Sequence, residues 1–237
     1  RRSTRATPCV MNSEPLYLLT GVGKEYDGPT ERLRVLGKID LRIEAGESVA
    51  IIGASGSGKT TLLHIMGTLD TPTHGDVRFA GQSLKGLSVQ KRSVLRNRDI
   101  GFVFQFHHLL AEFSTLENVA MPGIIGGLGR EASLRLAREA LGQVGMEHRM
   151  EHRVTTLSGG ERQRAAIARA ILLKPKVVLA DEPTGNLDEK TGQAVGDLLV
   201  SLNRDLGMTF VVVTHNVDLA SVMGRRLELR SGELYAH

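Results

Sequence analysis

The sequence carries a single cysteine, Cys9, which excludes an intrachain disulfide and suits a reducing compartment. Also missing is any apolar stretch approaching the eighteen or more residues of a membrane-spanning helix. The longest apolar runs are of strand length, so membrane work is expected to fall to other chains. A large excess of one charge is absent as well. The formal net charge is +4, and Arg1, Arg2 and Arg5 supply three of those charges, leaving +1 from Met11 onward. That balance gives no footprint for nucleic acid. RRSTRATPCV (1–10) lacks the apolar core of a signal peptide or lipid-anchor signal. It is expected to be a flexible basic tail, an early translation start or appended residues, with Met11 as a native start. The remaining 11–237 is expected to form one domain with one substantial core. No regulatory domain is expected beyond His237.

What is present is glycine in a telling arrangement. Gly53, Gly58, Lys59 and Thr60 fit G-x-x-x-x-G-K-[ST]. SVAII (48–52) precedes the motif as a strand and TLLHIMGTL (61–69) follows as a helix, the context a phosphate loop requires. The glycines let the backbone curl so that successive amides aim at phosphate oxygens, and the helix adds its positive end. Gly53, Ala54, Ser55, Gly56, Ser57, Gly58, Lys59, Thr60 and Thr61 are the candidate contacts to a nucleoside triphosphate. Lys59 supplies charge to the β and γ phosphates, and the Thr60 hydroxyl is placed for Mg²⁺.

KVVLADEPTGNLD (176–188) supplies what that loop lacks. Val177 to Ala180 form an apolar run suited to a strand buried on both faces. Asp181 stands at its carboxyl end, where ligands bind in open α/β sheets, and is a candidate for Mg²⁺. Adjacent strand side chains diverge, so Glu182 is expected to face an attacking water while Asp181 faces the metal. TFVVVTH (209–215) ends in His215, able to donate to a γ phosphate or to serve as an ordinary loop histidine. Gln105, closing the strand-like IGFVFQ, has an amide able to reach metal and water. It reads equally as a polar strand end.

Further along, LSGGERQ (157–163) precedes a helix, ERQRAAIARAILL, and presents free amides and a hydroxyl to an anion; SGGE would also serve as a plain helix cap.

Phosphate loop, Gln105, LSGGERQ, LADE, the NLD turn and His215 occur in the order found in ATP-binding cassette (ABC) ATPases, and the chain resembles that family from about Leu16 to Tyr235. The resemblance implies an α/β P-loop NTPase core with an antiparallel β subdomain and a helical subdomain at about 106–156. It implies ATP and Mg²⁺ as cofactors, Tyr26 stacking on adenine and Gln105 as the lid glutamine. Glu182 would be the general base and His215 the switch histidine. Ser158, Gly159 and Gly160 would contact the γ phosphate held by a second copy, giving a nucleotide-dependent homodimer. Asn186, Leu187 and Asp188 would couple the two sites.

Element by element, strands are expected at Leu16–Val22, Ile39–Ile43 and Val77–Phe79, with turn signals at Asp27–Gly28–Pro29 and Gly46. A basic-faced helix is expected over Ser88–Arg98. Another spans Thr115–Met121, capped by Thr115 and stopped by Pro122. A longer helix starts at about Arg130 with Leu134, Ala137, Leu141 and Val144 on one face, and a core helix runs over Glu189–Asp205.

FHHLLAEFSTLENVAMP (106–122) resembles the partner-facing region of ATPases from lipoprotein-releasing transporters, as do LHIMGTLDTPTHGDV and LRNRDIGFVFQ. By that resemblance the chain energises lipoprotein release at the cytoplasmic face of a bacterial inner membrane. It would act on integral membrane permease subunits that handle the cargo. Macrolide-export ATPases, which commonly carry fused membrane spans, and cell-division ATPases share similar wording. A non-transport reading in DNA repair or translation lacks the basic grooves, zinc cysteines or coiled-coil insertion it would need. His107–His108 has no third ligand at useful spacing and reads as packing or partner contact.

Overall fold

In the computed structural model the described residues are 14–28 and 32–237; the tail, Cys9, Met11 and the Pro29 turn signal lie outside them. Two sheets organise the fold. The first is antiparallel, in the order β2 (Arg32–Ile43), β1 (Tyr17–Asp27), β4 (His74–Phe79) and β5 (Gln82–Ser83). It answers the expected antiparallel subdomain, although its strands run several residues beyond the apolar stretches that announced them.

The second sheet has the order β10 (Glu233–Ala236), β9 (Arg225–Arg230), β3 (Ser48–Ile52), β8 (Thr209–Thr214), β7 (Val177–Asp181) and β6 (Ile100–Val103). All neighbours are parallel except the β9–β10 hairpin. Strand alternation divides its side chains between two apolar clusters. Val49, Ile51, Val177, Leu179, Val211 and Val213 face the antiparallel sheet and the helix α1 (Lys59–Met66). Ala50, Val178, Ala180, Phe210 and Val212 face the remaining large helices. Burial on both faces explains why β7 and β8 are unbroken apolar runs rather than alternating ones. The chain is therefore an α/β P-loop core with an added antiparallel sheet.

On the second face lie α3 (Thr115–Ile125), α4 (Arg130–Gln143), α5 (Gly159–Ile171) and α6 (Glu189–Leu206). In α6, Gly192, Val195, Gly196, Leu199 and Leu202 form the buried stripe, the spacing of a helix laid on a sheet. Helix α2 (Val89–Arg98) is capped by Ser88 and buries none of its residues, consistent with its basic composition.

Two local expectations need correction. Helix α3 is capped by Ser114, not Thr115, through a reciprocal capping box with Glu117. It also continues through Pro122 to Ile125. A proline inside a helix costs one backbone bond, but here the turn packs closely. A Cβ on Gly123 would sit 2.7 Å from the Ser133 hydroxyl, and Asn97 Nδ2 donates to the Pro122 carbonyl at 3.0 Å. The second correction is that β6 ends at Val103, so Gln105 stands in the following loop and does not close the strand.

The end of α1 is fixed by a fully buried hydroxyl: Tyr17 donates to the Met66 carbonyl at 2.9 Å. Removing the hydroxyl leaves that carbonyl without its partner. Tyr17→Phe is expected to lower stability by about 1–2 kcal/mol in urea unfolding; an unchanged midpoint would show the bond contributes nothing.

Candidate active site

Five elements converge on one cleft of about 580 Å³, lined by Ser55, Lys59, Thr60, Gln105, Asp181, Glu182 and His215 among others, a size ordinary for a small-molecule site. It opens at the carboxyl ends of β3, β7 and β8. Sequence positions more than a hundred residues apart are brought together here because those three strands are neighbours in the parallel sheet.

The loop after β3 wraps through Gly56 (φ 78°) and Gly58 (φ 100°), conformations that disfavour any residue with a Cβ. At Gly58 a Cβ would also lie 2.9 Å from Leu36. Helix α1 starts directly at Lys59 with no side-chain cap and no acidic residue in its first turn. Its first amides are therefore left to an external acceptor. The buried Lys59 ammonium folds onto the loop, donating to the carbonyls of Gly53 (2.8 Å) and Ala54 (3.0 Å).

Across the cleft, the Thr60 hydroxyl donates to Asp181 Oδ1 at 3.2 Å. Burial pushes the Asp181 carboxyl above its usual range, and the Thr60 bond and Lys59 charge oppose that only in part. Such a carboxylate gains by meeting a cation. One carboxylate, one hydroxyl and a nearby amide are hard oxygen donors, too few for a protein cage. They fit Mg²⁺, which completes its shell with phosphate oxygens and water.

Glu182 departs from the expected strand alternation. It lies beyond β7 with φ 45°, in the left-handed region that costs a non-glycine residue energy. Its amide donates to the Val213 carbonyl at 2.9 Å, and its own carbonyl accepts from Gly185 at 3.0 Å. The backbone reversal, not the pleat, separates the two carboxylates. Three donors then hold the Glu182 carboxylate: Thr214 Oγ1 at 2.8 Å, His215 N at 3.0 Å and His215 Nδ1 at 2.8 Å. The Glu182 side chain is 14% exposed and that of His215 66%, so the acid is held while the imidazole keeps solvent and ligand access. Thr214 escaped the sequence reading; a hydroxyl next to a strand-terminal histidine is a weak signal without the fold.

Gln105 Nε2 donates to Asn186 Oδ1 at 3.1 Å. Tyr26 sits outside this cleft lining, its hydroxyl on Asp70 Oδ2 at 2.8 Å and Lys24 Nζ 4.7 Å over its ring. His107 and His108 present backbone carbonyls to Arg169 at 2.6 and 2.7 Å, and the His108 ring meets Phe104 edge-on.

Ser158, Gly159 and Gly160 are not brought to the phosphate loop of their own chain; none lines its cleft. Ser158 Oγ accepts from Glu161 N while Glu161 accepts from Ser158 N at 2.8 Å. Gly159 and Gly160 pack against Leu187 and Thr191, and a Cβ on Gly160 would approach Thr191 Cγ2 to 2.5 Å. The tip of α5 is thus built on the segment that follows Glu182.

Residues 36–185 match the family model for ABC transporters. The chain is 67% identical to the lipoprotein-releasing system ATP-binding protein LolD of Nitratidesulfovibrio vulgaris, over 94% of this chain and 96% of the relative. It is 60% identical to LolD of Oleidesulfovibrio alaskensis, over 93% and 95%. Among solved structures, the ATP-binding cassette MJ0796, a dimer in a post-hydrolysis state bound to ADP and Pi, superposes with a TM-score of 0.85. The identity is 39%, with 92% of this chain and 96% of that one covered.

The capping box on α5 carries a pH signature. Hydrogen bonds from the Ser158 backbone amide, the Ser158 hydroxyl and Arg149 draw the Glu161 carboxyl from 4.5 down to about 2. A depressed carboxyl stabilises the fold above its unfolded value and loses that contribution as pH falls from 4.5 through 2. With part of the shift screened by solvent, Glu161→Gln is expected to cost about 1–2 kcal/mol at pH 7. In urea unfolding the gap to the unaltered chain should narrow at pH 3.5; a constant gap would contradict the assignment.

Proposed function

The chain belongs to the ABC transporter ATPase family, and we propose that it energises a lipoprotein-releasing transporter as a nucleotide-bridged pair seated on integral membrane permease subunits. The observation that carries the hydrolytic part is the shared cleft: an uncapped helix start, a buried lysine, and two carboxylates turned apart by one left-handed residue. Its close relatives named as LolD support the choice of transporter.

The ATP phosphates are read into the loop amides of 53–61, where Lys59 would exchange the Gly53 and Ala54 carbonyls for β and γ phosphate oxygens. Thr60 and Asp181, with Gln105, would hold Mg²⁺, which when bound neutralises developing phosphate charge. Glu182 orients or deprotonates the attacking water, and the His215 ring, on leaving the Glu182 carboxylate, donates to the γ phosphate. Tyr26 is assigned to adenine stacking, which requires its ring to offer a face to the base. Ser158, Gly159 and Gly160 of a second copy close over the γ phosphate. ATP then stabilises the pair by mass action, and hydrolysis removes the bridging charge.

Among the described residues no helix is long and apolar enough to cross a membrane. The permeases are read as LolC/LolE-like, with the chain at the cytoplasmic face of a bacterial inner membrane and lipoprotein cargo carried by those subunits. The exposed Phe106, Leu110 and Phe113, on the stretch with partner-facing wording, are the apolar side chains offered to them. No observation favours the macrolide-export or cell-division alternatives.

Two variants test the reading. Glu182→Gln should keep ATP affinity and accumulate a dimer with ATP and Mg²⁺ on size-exclusion chromatography; monomer alone would count against the role. Lys59→Ala should weaken ATP binding at least tenfold by calorimetry, and unchanged affinity would remove the phosphate-loop assignment.

A further inference from the structure

The Gln105 amide lies in a reciprocal pair with Asn186. Gln105 Nε2 donates to Asn186 Oδ1 at 3.1 Å, and Asn186 Nδ2 donates to the Gln105 backbone carbonyl at 3.2 Å. A backbone carbonyl only accepts, so the end of Asn186 facing it must be the NH₂. That places Oδ1 at the other end of the Asn186 amide. An oxygen there accepts only from the NH₂ of Gln105, so Gln105 Oε1 is the end left free. One backbone carbonyl thereby fixes the orientation of two side-chain amides in sequence.

A second observation fits the same arrangement. Gly185 lies directly against this amide: a Cβ there would come within 3.0 Å of Gln105 Nε2 and 3.4 Å of Glu182 Cβ. The lid glutamine therefore rests on the bare backbone of the turn that starts at Glu182. Gln105, Thr60 and Asp181 line the same cleft.

We propose that Asn186 is a positioning residue for the metal-binding end of the site: it holds the Gln105 amide with Oε1, not Nε2, available to a nucleotide-bound divalent cation. Without Asn186 the amide is free to turn over, and half of its orientations present a donor to a cation that needs an acceptor. Asn186 itself does not line that cleft. The inference rests on the phosphate-loop reading of the cleft.

The test is calorimetric binding of a non-hydrolysable ATP analogue to the full chain, once with Mg²⁺ and once with EDTA. Asn186→Ala is expected to weaken the magnesium complex about threefold to tenfold and leave metal-free binding within about twofold. Gln105→Ala should do the same, and the double variant should be no worse than either single change, because both remove one interaction. Equal weakening with and without metal, multiplying losses in the double variant, or no loss in Asn186→Ala would overturn the inference. If the unaltered chain binds the analogue under neither condition, the phosphate-loop reading fails first, and this inference with it.

Discussion

The backbone reversal at Glu182 is the constraint on which the rest of the site hangs. A left-handed residue at the end of a buried strand is held there by its amide on Val213 and its carboxylate on Thr214 and His215. The turn it starts delivers Gly185 and Asn186 beneath Gln105, then Leu187 and Thr191 beneath Gly159 and Gly160. One short stretch therefore touches the Glu182 side chain, the Gln105 amide and the glycines at the tip of α5.

The two glycine-rich helix starts differ in how they are capped. Helix α1 has no cap, so its amides wait for an anion. Helix α5 carries a capping box that meets the amides of Ser158 and Glu161, so the amides of Gly159 and Gly160 are the ones that remain to offer. The two tips do not share a cleft within one chain. Under the proposed pairing each centre would be completed by a second copy, which would be the physical motive for a dimer that depends on nucleotide.

Much of this was readable in the residues, for physical reasons. Buried parallel strands announce themselves as apolar runs, so Ser48–Ile52 and Val177–Ala180 were placed to within a residue. The phosphate loop and the α5 tip rest on local backbone needs that glycine spacing reports directly. What escaped was tertiary. Thr214 gains its role only because β8 lies beside β7. The Pro122 stop failed because packing against α4 and the Asn97 bond outweigh one missing backbone bond. Strand alternation does not describe the bend at Asp181–Glu182, since nothing in the residue types marks Glu182 as left-handed.

The central claim is that each catalytic centre is assembled from two chains, and a cross-link measures it most directly. Chains with Cys9 replaced by serine, one carrying Ser55→Cys and the other Ser158→Cys, would be mixed and oxidised with and without ATP. A shared centre predicts a disulfide between unlike chains that forms with ATP and not without it. No cross-link, or one indifferent to nucleotide, would contradict it.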